Sequence, residues 1–135
     1  MNRPKVLVVD DDPAICAVIA HILSDAGVAT VCAQSDRQAY LALDSDGPFK
    51  ALVADLNLGH GTTGFDVARA ARAKLPSLRV LYITGEASDA SFRTFGVEGS
   101  RFLFKPFSAS ELLGALGLGG GAGSGSNADS GASAS

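Results

Sequence analysis

Residues 5–13 read KVLVVDDDP: an uninterrupted aliphatic run, then three carboxylates, then a proline. A continuous apolar run of strand length marks a strand covered on both faces, the usual state of strands in parallel sheets. Such a strand carries Asp10, Asp11 and Asp12 out at its carboxyl end. Like charges about 4 Å apart repel by roughly 4 kcal/mol per pair at an effective dielectric of 20. Something must offset that repulsion, or the side chains must point in different directions. Pro13 suits the first turn of a helix, so the block reads as strand, acidic turn and helix start.

The same alternation recurs downstream. Ile15, Val18, Ile19, Ile22 and Leu23 follow at helical spacing, and Gly27 stops that helix. Val28–Ala33 predicts a second strand. Ser35 with Gln38 predicts a capping-box start for a helix carrying Ala39, Tyr40 and Leu43. After the turn residues Asp46, Gly47 and Pro48, a third strand over Ala51–Ala54 ends at Asp55. The glycine-rich stretch LNLGHGTTG (56–64) then precedes a helix from Phe65 to Lys74. Arg79–Ile83 and Ser100–Phe104 predict strands four and five, and the weaker periodicity over 86–99 predicts a short or mobile helix. Ser108 with Glu111 predicts a second capping box, opening a last helix through Leu112, Leu113 and Leu116. Gly114 and Gly117 in that helix would each cost up to about 1 kcal/mol.

Five strands alternating with helices predict an α/β fold: a doubly wound, five-stranded parallel sheet with right-handed crossovers and helices on both faces. In such sheets the functional site lies beyond the carboxyl ends of the strands.

With 135 residues, 47% of them apolar and 19% charged, the chain has the composition of one soluble globular domain. A net charge of −3 without a basic stripe argues against direct nucleic-acid binding. No apolar run approaches the roughly 18 residues of a membrane span, and MNRPK is no secretory leader, so a cytoplasmic protein is expected. Cys16 and Cys32 lack a CxxC spacing and are expected to be reduced, buried thiols rather than zinc ligands or a disulfide. Residues 118–135 are rich in Gly, Ser and Ala and are expected to form a disordered tail to a folded unit of residues 1–117, with no second domain.

The predicted strand ends collect polar groups: Asp10 and Asp11, Asp55, Thr84 and Lys105. Grouped carboxylates form a hard-oxygen set suited to Mg2+, with Mn2+ as an alternative. Asp55 is then a candidate nucleophile toward phosphorus. Lys105 and Thr84 would neutralise and hydrogen-bond the phosphoryl oxygens. Pro106 restricts Lys105 to extended backbone, with a cis or a trans bond between them. Asp12, just before Pro13, is expected to cap the first helix and point away from the cation. His21 reads as structural and His60 as a loop bystander.

VLVVDDDP (6–13), ADLNL (54–58), YITGEA (82–87) and FLFKPF (102–107) together resemble, in order, the signature blocks of the response regulator receiver domain of two-component signalling. The resemblance implies a flavodoxin-like (βα)5 fold with strand order 2-1-3-4-5. It implies Asp55 as the phosphoacceptor, forming an aspartyl phosphate. Asp11 and Asp55 would bind magnesium through their side chains, Asn57 through its backbone carbonyl and Asp10 through water. Thr84 and Lys105 would take the phosphoryl oxygens, and Phe102 occupies the position of a switching tyrosine, without the hydroxyl. The loop after Asp55 lacks a proline often found there and is one residue longer than the commonest form.

The function so implied is that of a stand-alone, single-domain receiver, not an enzyme beyond its own phosphorylation and dephosphorylation. Its partners would be a sensor histidine kinase and either a downstream docking protein or a histidine phosphotransfer partner, the chain itself being a monomer or weak dimer. Two rivals use the same residues. One is a haloacid-dehalogenase-like phosphate hydrolase, which wants an aspartate two residues after its nucleophile where this chain has Asn57. The other is a receiver-type binding module that signals without phosphorylation.

Overall fold

The computed structural model describes residues 4–56, 64–85 and 96–118. Its elements alternate as β1 (Lys5–Val9), α1 (Pro13–Asp25), β2 (Ala29–Ala33), α2 (Asp36–Ser45), β3 (Ala51–Asp55), α3 (Gly64–Lys74), β4 (Arg79–Thr84), β5 (Arg101–Phe104) and α4 (Ala109–Ala115). The strands form one five-stranded sheet in the order β2-β1-β3-β4-β5, and every pairing is parallel. This is the flavodoxin-like arrangement expected from the sequence.

β1 has a strand on either side, and its aliphatic run divides by alternation. Leu7 and Val9 join a core with Ala39, Ala42 and Leu43 of α2 and Val67, Ala68 and Ala71 of α3. Val6 and Val8 join the opposite core, with Cys16, Ile19 and Leu23 of α1 and Leu112 and Ala115 of α4. Each of the valine, leucine and isoleucine side chains among them contributes on the order of 1.5–3 kcal/mol by leaving water. No described helix is long and apolar enough to cross a membrane.

Helix boundaries follow local chemistry. The Asp12 side chain accepts a hydrogen bond from the Ala14 N–H at 2.9 Å, capping α1 ahead of Pro13. Ser108 and Glu111 form the reciprocal capping box at the start of α4. The box expected at α2 is half made: Ser35 accepts from the Gln38 N–H, but the Gln38 side chain accepts from Gln34, one residue earlier than expected. α1 and α4 end alike. Gly27 (φ 81°) and Gly117 (φ 73°) take the left-handed conformation that closes a Schellman turn, with Val28 donating to Leu23 and Leu118 to Leu113. Gly117 therefore terminates the last helix instead of weakening its interior.

Several expectations need correction. Val28 and Ser100 lie just outside their strands, and β4 extends to Thr84. Leu118, read as the first tail residue, packs against the core beside α4. Cys32 is exposed, because β2 is an edge strand. His21 faces solvent, 3.5 Å from Asp25, and is not part of the packing. Of the helix expected over 86–99, residues 96–99 form a bend and turn, and 86–95 lie outside the described residues. Asn57, His60 and 119–135 also lie outside them.

At the start of α3, a Cβ on Gly64 would lie 2.5 Å from the Asp55 carbonyl oxygen and 3.2 Å from the Ala54 Cβ. Glycine is needed there for the helix to approach the end of β3. Gly64→Ala is expected to destabilise the fold by about 1–3 kcal/mol in urea titration. An unchanged midpoint would contradict this close approach.

Candidate functional site

Because all five strands run parallel, their carboxyl ends open on one edge of the sheet. The register fixes what meets there. Val9 lies opposite Ala54, so the next residues, Asp10 and Asp55, are level on adjacent strands. Asp10 continues the ladder by donating its N–H to Ala33 at 3.0 Å. Its carboxylate is 1% exposed as a residue and Asp55 7%, whereas Asp11 faces solvent. One carboxylate oxygen from each of the three lies within 4.8 Å of the other two.

Lys105, just beyond β5, sends its ammonium to this cluster. Nζ lies 3.7 Å from Oδ2 of Asp10 and 3.7 Å from Oδ2 of Asp55. Its backbone N–H donates to the Thr84 carbonyl at 2.9 Å, and the Lys105–Pro106 bond is cis. Thr84 closes β4 and is buried. Asp12 is held away in its cap, so the three consecutive aspartates do not share one task.

One ammonium does not balance three carboxylates. Asp10 Oδ1 accepts from the Asp12 N–H at 2.9 Å, but among the described residues the buried Oδ2 has no hydrogen-bond donor, and the Lys105 ammonium stands 3.7 Å away. An orphaned anionic oxygen, flanked by two further carboxylates, fits a hard divalent cation. An octahedron with bonds of about 2.1 Å spans roughly 4.2 Å, comparable to the spread of these oxygens. Asp10, Asp11 and Asp55 are therefore the residues that would hold Mg2+. The fourth expected ligand, Asn57, lies outside the described residues.

The Asp10 carboxyl is the group most affected by this environment, its pKa pushed up to about 6. Burial is the largest cause, and the negative charges of Asp55 and Asp11 add to it, opposed by the Asp12 N–H and Lys105.

Phe102 lies on the α3 side of the sheet, half-buried, with its ring centroid 5.0 Å from that of Tyr82 and 6.3 Å from that of Phe65. Sequence reasoning passed over Tyr82. It is fully buried, and its hydroxyl accepts the Val97 N–H at 3.1 Å, tying the segment before β5 to the middle of β4. A lone tyrosine in an aliphatic strand was the available signal, since a buried phenol needs a polar partner.

Residues 6–117 match the family model of the response regulator receiver domain. The transcriptional regulatory protein TcrA of Mycobacterium tuberculosis is 32% identical over 114 residues, which are 83% of this chain and 44% of TcrA. The chain thus spans less than half the length of that relative. The structure is similar to a response regulator receiver protein from Sinorhizobium medicae (TM-score 0.79, 28% identity, 88% of this chain and 97% of that one). It is also similar to a response regulator from Burkholderia pseudomallei solved with a phosphorylated aspartic acid and a calcium ion (TM-score 0.75, 27% identity, 84% of this chain and 66% of that one).

The raised pKa of Asp10 gives a pH dependence. Between its ordinary value of 3.8 and about 6 the folded protein holds a proton that the unfolded chain has released. The stability of the metal-free protein should therefore fall as pH rises through that window, by on the order of 2–3 kcal/mol from this group. Asp10→Asn should flatten that slope in urea titrations run with a chelator. A slope of the same size in the variant would contradict the assignment.

Proposed function

We propose, from the premise that the chain belongs to the response regulator receiver domain family, that Asp55 accepts a phosphoryl group from the phosphohistidine of a sensor histidine kinase. The observation that carries this reading is the convergence of Asp10, Asp11 and Asp55 oxygens within 4.8 Å, with the Lys105 ammonium 3.7 Å from Asp55.

In the reaction an Asp55 carboxylate oxygen attacks phosphorus, an O–P bond forms, and the P–N bond to the kinase imidazole breaks. The imidazole leaves with that electron pair and regains a proton. Lys105 supplies fixed positive charge where the phosphoryl oxygens arrive, and Thr84 is close at hand at the end of β4. A bound Mg2+ would supply further charge neutralisation at the Asp10, Asp11 and Asp55 oxygens. Hydrolysis of the acyl phosphate, with water attacking phosphorus, returns the carboxylate.

Phosphorylation adds about two negative charges beside Lys105 and Thr84 and so biases any two arrangements of the β4 and β5 ends. Phe102 stands on β5 three residues before Lys105, in contact with Tyr82, and would carry that bias toward the surface near Val97. The output we infer for the receiver unit is docking of a protein partner or passage of the phosphoryl group to another histidine. Transcriptional regulation is the role named for the longer relative, TcrA.

The test is labelling by acetyl phosphate with Mg2+, and by a cognate kinase. The wild-type protein should gain acid-stable, base-labile phosphate. Asp55→Asn should lose it at least 100-fold, as should wild type with a chelator. Undiminished label in Asp55→Asn would overturn the assignment of the acceptor.

A further inference from the structure

The site above leaves two thiols unused. Cys16 and Cys32 are both free, the first buried and the second exposed. Cys16 lies on the inward face of α1, its Sγ 3.9 Å from the carbonyl oxygens of Val8 and Asp10. Cys32 lies opposite Val8 in the parallel register, so its side chain leaves the sheet on the face that α1 covers. Its Sγ is 3.7 Å from the Cys16 carbonyl oxygen, which brings the edge strand against the backbone of the residue that carries the buried thiol.

The placement is asymmetric in a useful way. β2 is the edge of the sheet, so an oxidant from solvent reaches Cys32 first. Behind it stands a second sulfur on a different element, sheltered from solvent by the helix that carries it. An exposed cysteine backed by a neighbouring thiol is the arrangement that turns oxidation into a reversible bond.

We propose that Cys16 and Cys32 form a reversible disulfide when the protein meets a hydroperoxide, stapling α1 to the edge strand. The Cys32 sulfur attacks the terminal peroxide oxygen; an S–O bond forms, the O–O bond breaks, and the departing hydroxide or alkoxide takes up the Cys32 proton to leave as water or an alcohol. The Cys16 sulfur then attacks the Cys32 sulfur. An S–S bond forms, the S–O bond breaks, and the departing oxygen takes up the Cys16 proton to leave as water. Two thiols are oxidised by two electrons in total, and one hydroperoxide is reduced. Closing the bond to about 2.05 Å draws the Cys16 sulfur toward β2 and away from the Asp10 carbonyl. None of this depends on phosphoryl chemistry at Asp55.

The full chain is treated with hydrogen peroxide, its remaining thiols are alkylated, and unreduced peptides are mapped by mass. The expected result is a peptide pair joined through Cys16 and Cys32, the paired loss of both titratable thiols, and their return with dithiothreitol. Cys16→Ala should stop at a Cys32 sulfenic acid that dimedone captures, and Cys32→Ser should leave Cys16 unmodified under the same exposure. The wild-type map decides the matter even if a variant fails to fold. Oxidation of Cys32 to sulfinic acid with Cys16 still free, or cross-links only between Cys32 of two copies, would overturn the proposal.

Discussion

Asp10 and Asp55 stand level at the ends of neighbouring parallel strands because Val9 is paired with Ala54, and the next residue on each strand is an aspartate. Asp11 adds a third carboxylate from the turn, and among the described residues one ammonium answers them, Lys105, at 3.7 Å from Asp10 and Asp55. The excess of negative charge is a constraint that the surrounding structure has to bear. It shows in the orphaned Oδ2 of Asp10 and in a pKa held near 6 by burial and by its acidic neighbours. A carboxylate in that state gains from a cation more than a solvated one would, because its own desolvation is already spent on folding.

The rest of the fold can be understood as the means of holding that cluster. β1 is buried on both faces, so Asp10 cannot swing out to water without disturbing a strand anchored by Leu7 and Val9 on one side and Val6 and Val8 on the other. Gly64 lets α3 come within contact of the Asp55 backbone, which fixes the end of β3. Lys105 arrives from a strand that is not a neighbour of β1, and its long side chain spans the intervening strand ends. Asp12 is diverted to the N-terminus of α1, where its charge stabilises the helix instead of deepening the repulsion.

The architecture was legible wherever one residue type had a single physical use. The aliphatic run of β1 has no stable place except between two layers, and Asp12-Pro13 has few roles other than a helix start. The strand-end residues Asp10, Asp11, Asp55 and Lys105 were legible as a set, because the topology of parallel sheets dictates where strand ends meet. What escaped was tertiary. Gly117 looked like a flaw within a helix, since sequence does not say where a helix ends until the Schellman bonds of Gly117 and Leu118 are seen. Cys32 read as buried because an apolar strand carries no mark of lying at the sheet's edge. Gln38 was expected to reach Ser35 and reaches Gln34, a difference of one residue that only backbone geometry decides. The role of Tyr82 depends on Val97, a partner 15 residues away.

The account stands on separate strand ends bringing their oxygens to one cation with Asp55 left facing an ammonium. A crystal structure of the protein with Mg2+ and beryllofluoride tests this most directly. One ion should sit among Asp10, Asp11 and Asp55, with the fluoride on Asp55 and within hydrogen-bond reach of Lys105 Nζ. An ion bound elsewhere, or Lys105 directed into solvent while Asp55 stays unmodified, would contradict it.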